Sequence, residues 1–144
     1  MGVDKLLDKV IDKIPSPTGD KQKPLKALIF DSLFDSYRGV ITSIRVVDGE
    51  VKVGDLIKMM ETNAVYDVVG LSINNPKEKE VKSIKAGEVG YLYASIKSIS
   101  DVHVGDTITL DNNPATDRLP GYKPMKPTVY CGLYPIESNR FEDL

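Results

Sequence analysis

Apolar positions at the start of the chain recur at helical spacing. Leu6, Leu7, Val10, Ile11 and Ile14 stand 3, 4, 7, 8 and 11 residues on from Val3, which draws one stripe down a helix over 3–14. Asp and Lys fill the opposite side. Pro15 and Pro17 end the helix, because proline lacks the amide donor and turns the preceding residue away from helical angles. So short a helix with a bare stripe needs a surface to lie on, either the rest of this chain or another domain. Pro15–Pro24 holds three prolines, Gly19 and mixed charges, the composition of a linker.

From Leu25 the period shortens to two. Val40, Thr42, Ile44 and Val46 form one face of a half-buried strand, with Ser43 and Arg45 on the other. Asp48-Gly49 follows at once, a hairpin signal because glycine accepts positive φ. Further strands are predicted at Leu25–Phe30, Leu56–Met60, Val65–Ile73, Glu88–Ile96, Thr107–Leu110 and Thr128–Leu133. About seven strands at this spacing indicate an all-β barrel or sandwich. An internal echo favours a closed barrel: Val51-Lys52-Val53-Gly54-Asp55-Leu56-Ile57 and Val102-His103-Val104-Gly105-Asp106-Thr107-Ile108 share V-x-V-G-D-x-I. The echo fits two similar tight turns in any β protein, and it also fits a family pattern.

Composition narrows the function classes. The 144 residues suit one domain, and 41% hydrophobic with 28% charged residues allow a sizeable core. A net charge of −2 gives no bulk attraction to nucleic acid, so any RNA contact must come from a local patch. A single cysteine, Cys131, excludes an internal disulfide framework and a multi-cysteine zinc site, and fits a reducing, cytosolic setting. No run approaches the ~18 apolar residues of a membrane span. Lys5, Asp8, Lys9, Asp12 and Lys13 break up any signal core, and Leu6 stands where N-myristoylation wants Ser or Thr.

Catalytic chemistry finds no foothold in the residues. There is no G-x-x-x-x-G-K-[ST] loop, and Gly87-Glu88-Val89-Gly90 is too short and lacks the phosphate-reaching lysine. His103 has no second histidine or cysteine to complete a metal site. A Cys131–His103 pair would need the two to meet, and Cys131 reads as a small hydrophobe in an apolar strand. Asp31, Asp35, Asp55 and Asp106 stand at turn positions, where aspartate caps local amides. One stretch carries more. Phe34-Asp35-Ser36-Tyr37-Arg38-Gly39 sets two aromatics and an arginine on a loop before a strand: stacking faces beside a group that forks onto phosphate. An ordinary loop with a tyrosine packed over the barrel end would read the same way.

Several ordered landmarks resemble the second domain of translational GTPases: Val47-Asp48-Gly49-Glu50-Val51-Lys52-Val53-Gly54-Asp55, then Ala86-Gly87-Glu88-Val89-Gly90, then Val104-Gly105-Asp106-Thr107-Ile108. Two longer stretches resemble the elongation factor 4 family in particular. They are Pro24–Ser32 running into Tyr37-Arg38-Gly39-Val40, and Leu119–Pro127 followed by Gly132-Leu133-Tyr134-Pro135-Ile136.

The resemblance implies a fold and a division of the chain. Residues 1–15 would be the last helix of a GTPase domain, 16–24 a linker, 25–118 a closed antiparallel β-barrel second domain, and 119–144 the passage into a third. It further implies a module with no catalytic activity of its own, docking on the ribosome through small-subunit rRNA and packing on the GTPase domain in cis. GTP and Mg would belong to that GTPase domain, whose nucleotide motifs this sequence does not contain. No cofactor or metal is expected in the chain itself. The family is associated with protein synthesis and proposed reverse translocation. The implied setting is cytoplasmic, with the parent family also peripheral at the cell membrane, and the chain is expected to be monomeric. The expected rRNA contacts are Tyr37, Arg38 and Arg45, with Lys52 and Lys58 nearby on a hairpin, touching phosphates without reading sequence. Two other readings stay open: the second domain of another translational GTPase, such as elongation factor G, or an unrelated β-barrel interaction module.

Overall fold

The computed structural model describes residues 2–121, 129–132 and 134–136. Helix α1 spans Val3–Lys13, followed by β1 (Lys26–Asp35), β2 (Gly39–Asp48), β3 (Glu50–Lys52), β4 (Leu56–Met59), β5 (Val65–Asn74), β6 (Glu78–Val81), β7 (Ser83–Lys85), β8 (Val89–Ala94) and β9 (Thr107–Leu110). Six strands pair antiparallel in the order β4–β9–β1–β2–β8–β5, and β5 pairs back onto β4, so the sheet closes on itself. The fold is the expected closed antiparallel barrel. Strand β6 extends it along β5, while β3 and β7 form a separate two-stranded sheet.

Alternation supplies the interior. Val40, Thr42, Ile44 and Val46 of β2 are fully buried, and meet Ile29, Ile57 and Leu92 in one continuous core. The opposite face of β2 was expected to be open, yet Ile41 and Ser43 are also buried and only Arg45 is exposed. The sheet curls there into a groove along its outer face, lined by Leu33, Tyr91 and Tyr93 beside Ile41, and by Phe30 and Tyr91 beside Ser43.

Several expectations need correction. Strand β1 runs on to Asp35 because Phe30 is a bulge between Ile29 and Asp31, which resets the alternation and hides the second half. Asp31 therefore lies in a strand, where its carboxylate accepts the Ser32 amide at 2.8 Å. Strands β3, β6 and β7 were not expected: each is three or four residues long, and β6 is a charged edge with no apolar face to announce it. Of the strand predicted at 128–133, residues 129–132 are described and are not in a strand. The other two lie outside the described residues. Cys131 is accordingly exposed rather than buried in a strand.

The helix stripe is uncovered. Val3, Leu6, Leu7, Val10, Ile11 and Ile14 are all exposed and α1 buries no residue. Among the described residues, the barrel is not what it lies on. The linker, by contrast, is seated. The Asp20 amide donates to the Asp48 carboxylate at 3.0 Å and the Gly49 amide to the Asp20 carbonyl at 2.9 Å. A side chain at Gly19 would strike the Val47 carbonyl, and Pro17 lies against Gly87. Past β9 the chain also stays on the barrel: the Ala115 amide donates to Thr109 Oγ1 at 2.8 Å and the Leu119 amide to Thr107 Oγ1 at 2.9 Å.

Candidate nucleic-acid interface

The loop between β1 and β2 is built from the inside by one carboxylate. Asp35 Oδ1 accepts the amides of Tyr37 at 2.8 Å and Arg38 at 2.9 Å, and Gly39 at φ +77° turns the chain into β2. These amides, Arg38 first, hold the Asp35 carboxyl below the usual range. Tyr37 rides the apex, a residue 97% exposed.

Arg38 does not stand free beside it. Its Nη1 donates to Glu78 Oε1 at 2.9 Å and to the Tyr93 hydroxyl at 3.2 Å, and the guanidinium lies 5.2 Å from the centre of the Tyr93 ring. Asp35 Oδ2 is 3.9 Å from Arg38 Nε. Glu78 also accepts from Tyr93 Oη and from Ser72 Oγ. Hydrogen bonds from Tyr93, Arg38 and Ser72 keep Glu78 ionised below its ordinary range, and the bond to Glu78 raises Arg38 further. Burial, with Glu78 beside it, pushes the Tyr93 phenol up. The cluster ties the β1–β2 loop to β6 and β8 and carries two carboxylates for one guanidinium.

The other three expected contacts lie elsewhere. Arg45 projects from the outer face of β2, seven residues from Arg38 and so roughly 23 Å along an extended strand. Lys58 is on β4, three strands from β2 either way round the barrel, so it faces the opposite side. Lys52 belongs to the small β3–β7 sheet, where its Nζ is 3.5 Å from Glu50. Arg45 and Lys58 therefore stand on different faces of the barrel. Only Tyr37 and Arg38 are brought into one place.

Sequence reasoning missed the other members of that place, Val69, Glu78, Tyr93, Ile96 and Lys97. Beside Tyr37 and Arg38 opens a cleft of about 610 Å3 whose other walls include Val69, Tyr93, Ile96 and Lys97. Val69 is a bulge residue between Val68 and Gly70, turned out to 66% exposure. Glu78 sat in the run Lys77-Glu78-Lys79-Glu80, which reads as an ordinary solvated face. The alternation of Tyr91-Leu92-Tyr93 was the one signal that could have pointed Tyr93 outward.

Catalytic and cofactor chemistry gain no geometry. The Gly87 turn leads directly into strand β8, so no helix presents amides to a nucleotide phosphate. That turn therefore does not fit a nucleotide phosphate. Among the described residues no group of three His, Cys, Asp or Glu could hold a metal ion. His103 Nδ1 lies 3.5 Å from Glu61 Oε1 in an exposed pair. No helix among the described residues is long and apolar enough to cross a membrane.

Comparison with known proteins agrees with this architecture. The family model described as Elongation factor Tu domain 2 matches residues 39–109. The whole chain is 54% identical to elongation factor 4 of Exiguobacterium sibiricum, and 51% identical to elongation factor 4 of Listeria welshimeri. In each case the match covers 100% of this chain and 24% of the relative, so the chain spans about a quarter of the length of the relatives it matches.

Proposed function

The chain belongs to the elongation factor 4 family as a stretch holding its second-domain β-barrel, and from that footing we propose that it is a non-catalytic ribosome-docking module. Its task is positional. The barrel presents the β1–β2 loop to small-subunit rRNA, holds phosphates without reading sequence, and orients a GTPase domain carried elsewhere in a longer protein. GTP and Mg belong with that domain. The setting is the cytoplasm, and the chain acts as a monomer. The division at 1–15, 16–24, 25–118 and 119–144 belongs to the same proposal, with one refinement: the hydrogen bonds of Ala115 and Leu119 to β9 favour extending the barrel unit past residue 118.

The observation that carries the reading is the exposed Tyr37 ring at the tip of a pinned loop, with Arg38 and Lys97 at its base. Arg45, Lys52 and Lys58 remain proposed contacts of other faces, available to other RNA segments or to the GTPase domain. A few charge-assisted contacts worth roughly 1.5–3 kcal/mol each give weak, salt-sensitive binding. Backbone amide titration of the chain with a small-subunit rRNA fragment tests this. Shifts should cluster on residues 34–39 and 93–97 and fade as salt is raised. Shifts confined to the α1 and linker side would instead make the barrel a platform for the GTPase domain.

A further inference from the structure

The cleft between the β1–β2 loop and the β5–β8 end has the chemistry of a nucleotide site. We propose that it takes one unstacked nucleotide from a single-stranded loop or bulge of RNA, with Tyr37 stacking on the base, Lys97 meeting the phosphate, and Arg38 acting as a positioning residue. The proposal rests on the RNA-docking reading above and gives it a ligand.

Three observations commit the cleft to this occupant. First, its walls are apolar and planar where a base would lie. The Tyr37 ring is almost wholly in solvent, and the Val69 bulge turns a second apolar side chain toward the same opening. Two amide hydrogen bonds to Asp35 already hold the backbone of that loop, so a stacking base has only the Tyr37 side chain left to order. Secondly, the two cations at the cleft differ. Arg38 is bonded to Glu78 and close to Asp35, so its charge is already balanced. Lys97 is exposed and makes no ion pair within 4.0 Å among the described residues, which leaves it for a phosphate. Thirdly, the volume of about 610 Å3 lies in the range of small-ligand sites and admits one nucleotide. A paired duplex keeps its bases stacked inside and offers this cleft only phosphates.

Salt dependence separates the roles. Each phosphate neutralised on a single strand contributes a slope of about 0.7 to the fall of log affinity with log salt. A stacking residue contributes affinity and no slope.

The test uses the 144-residue chain with two RNA probes of equal length. One is a hairpin with an unpaired loop carrying 2-aminopurine, and the other is a fully paired duplex. The hairpin should bind more tightly, with a change in 2-aminopurine fluorescence on binding. Tyr37→Ala should weaken hairpin binding about tenfold and abolish the fluorescence change while leaving the slope intact. Lys97→Gln should reduce the slope by about 0.7. Arg38→Gln should weaken binding with the slope unchanged, its amide spectrum reporting altered loop positions and an intact barrel. Equal affinity for hairpin and duplex, with no effect of Tyr37→Ala, would overturn the nucleotide site and leave the docking module standing. A slope lost at Arg38 rather than Lys97 would overturn the assignment of roles. Failure of the wild-type chain to bind either RNA would overturn both readings.

Discussion

Asp55, Glu88 and Asp106 each follow the glycine of a tight turn, and the three turns are of one kind. In each, Gly54, Gly87 or Gly105 takes φ between +91° and +97°, and the next amide donates back to the residue three earlier. Their carboxylates do different work. Asp55 and Glu88 reach back to the amides of Lys52 and Lys85 at 2.8 and 2.7 Å in exposed positions. Asp106 is buried and accepts from Thr107 and Glu61 amides, stitching β9 to the end of the β4–β5 hairpin. Burial outweighs those two bonds and raises its carboxyl above the ordinary aspartate range. The folded chain then holds that proton more tightly than the unfolded one. Its stabilisation is fully present below the unfolded value and lost as pH rises through the folded value. Asp35, Glu50 and Glu78 are lowered and act in the opposite sense, losing stabilisation as pH falls through their folded values. Comparing urea midpoints of wild type and Asp106→Asn from about pH 7 to about pH 4 isolates the first effect. The difference should move in favour of wild type on acidification; a constant difference would contradict the buried, raised carboxyl.

At the scale of elements, α1 and the linker behave differently although they adjoin. An 11-residue helix with no buried side chain is marginal in water. The linker is fixed by hydrogen bonds with the Asp48 carboxylate and the Gly49 amide. Gly49 has φ +77°, and a side chain there would come within 2.7 Å of Leu25 Cα and 2.8 Å of the Lys23 carbonyl. Removing residues 2–14 should therefore leave the unfolding free energy of the barrel within about 0.5 kcal/mol of wild type. Gly49→Ala should cost roughly 2 kcal/mol or more, because left-handed strain and backbone overlap add. Denaturation of the two variants side by side checks the contrast.

At the scale of the molecule, closure makes the barrel one cooperative unit. Each of the six ring strands has a partner on both sides, so none can leave without breaking two ladders. Ile44 is fully buried on β2, which faces β4 across the core. Ile44→Ala should cost about 2–5 kcal/mol and shift a single transition, with fluorescence and circular dichroism midpoints coinciding. Separate transitions would mean that the β1–β2–β8 side folds apart from the β4–β9 side. The charged edge strand β6 and the short β3–β7 pair leave little free edge for aggregation.

The sequence by itself determined the helix, the five main strands from β2 onward in the ring together with the first half of β1, the glycine turns and the all-β class. These follow from periodicity and from φ preferences, which are local. It also marked the Tyr37–Arg38 loop, because aromatic and guanidinium groups beside a glycine are visible without coordinates. Only the tertiary structure decided that Arg38 is bonded to Glu78, 40 residues away, and that Lys97 and the Val69 bulge share Tyr37's cleft. It likewise separated Arg45 from Lys58, which look close in sequence and stand on opposite sides of the barrel. The physical reason is the same in each case. Alternation tells which side of a strand a residue occupies, whereas barrel closure and bulges set which strands, and which side chains, become neighbours.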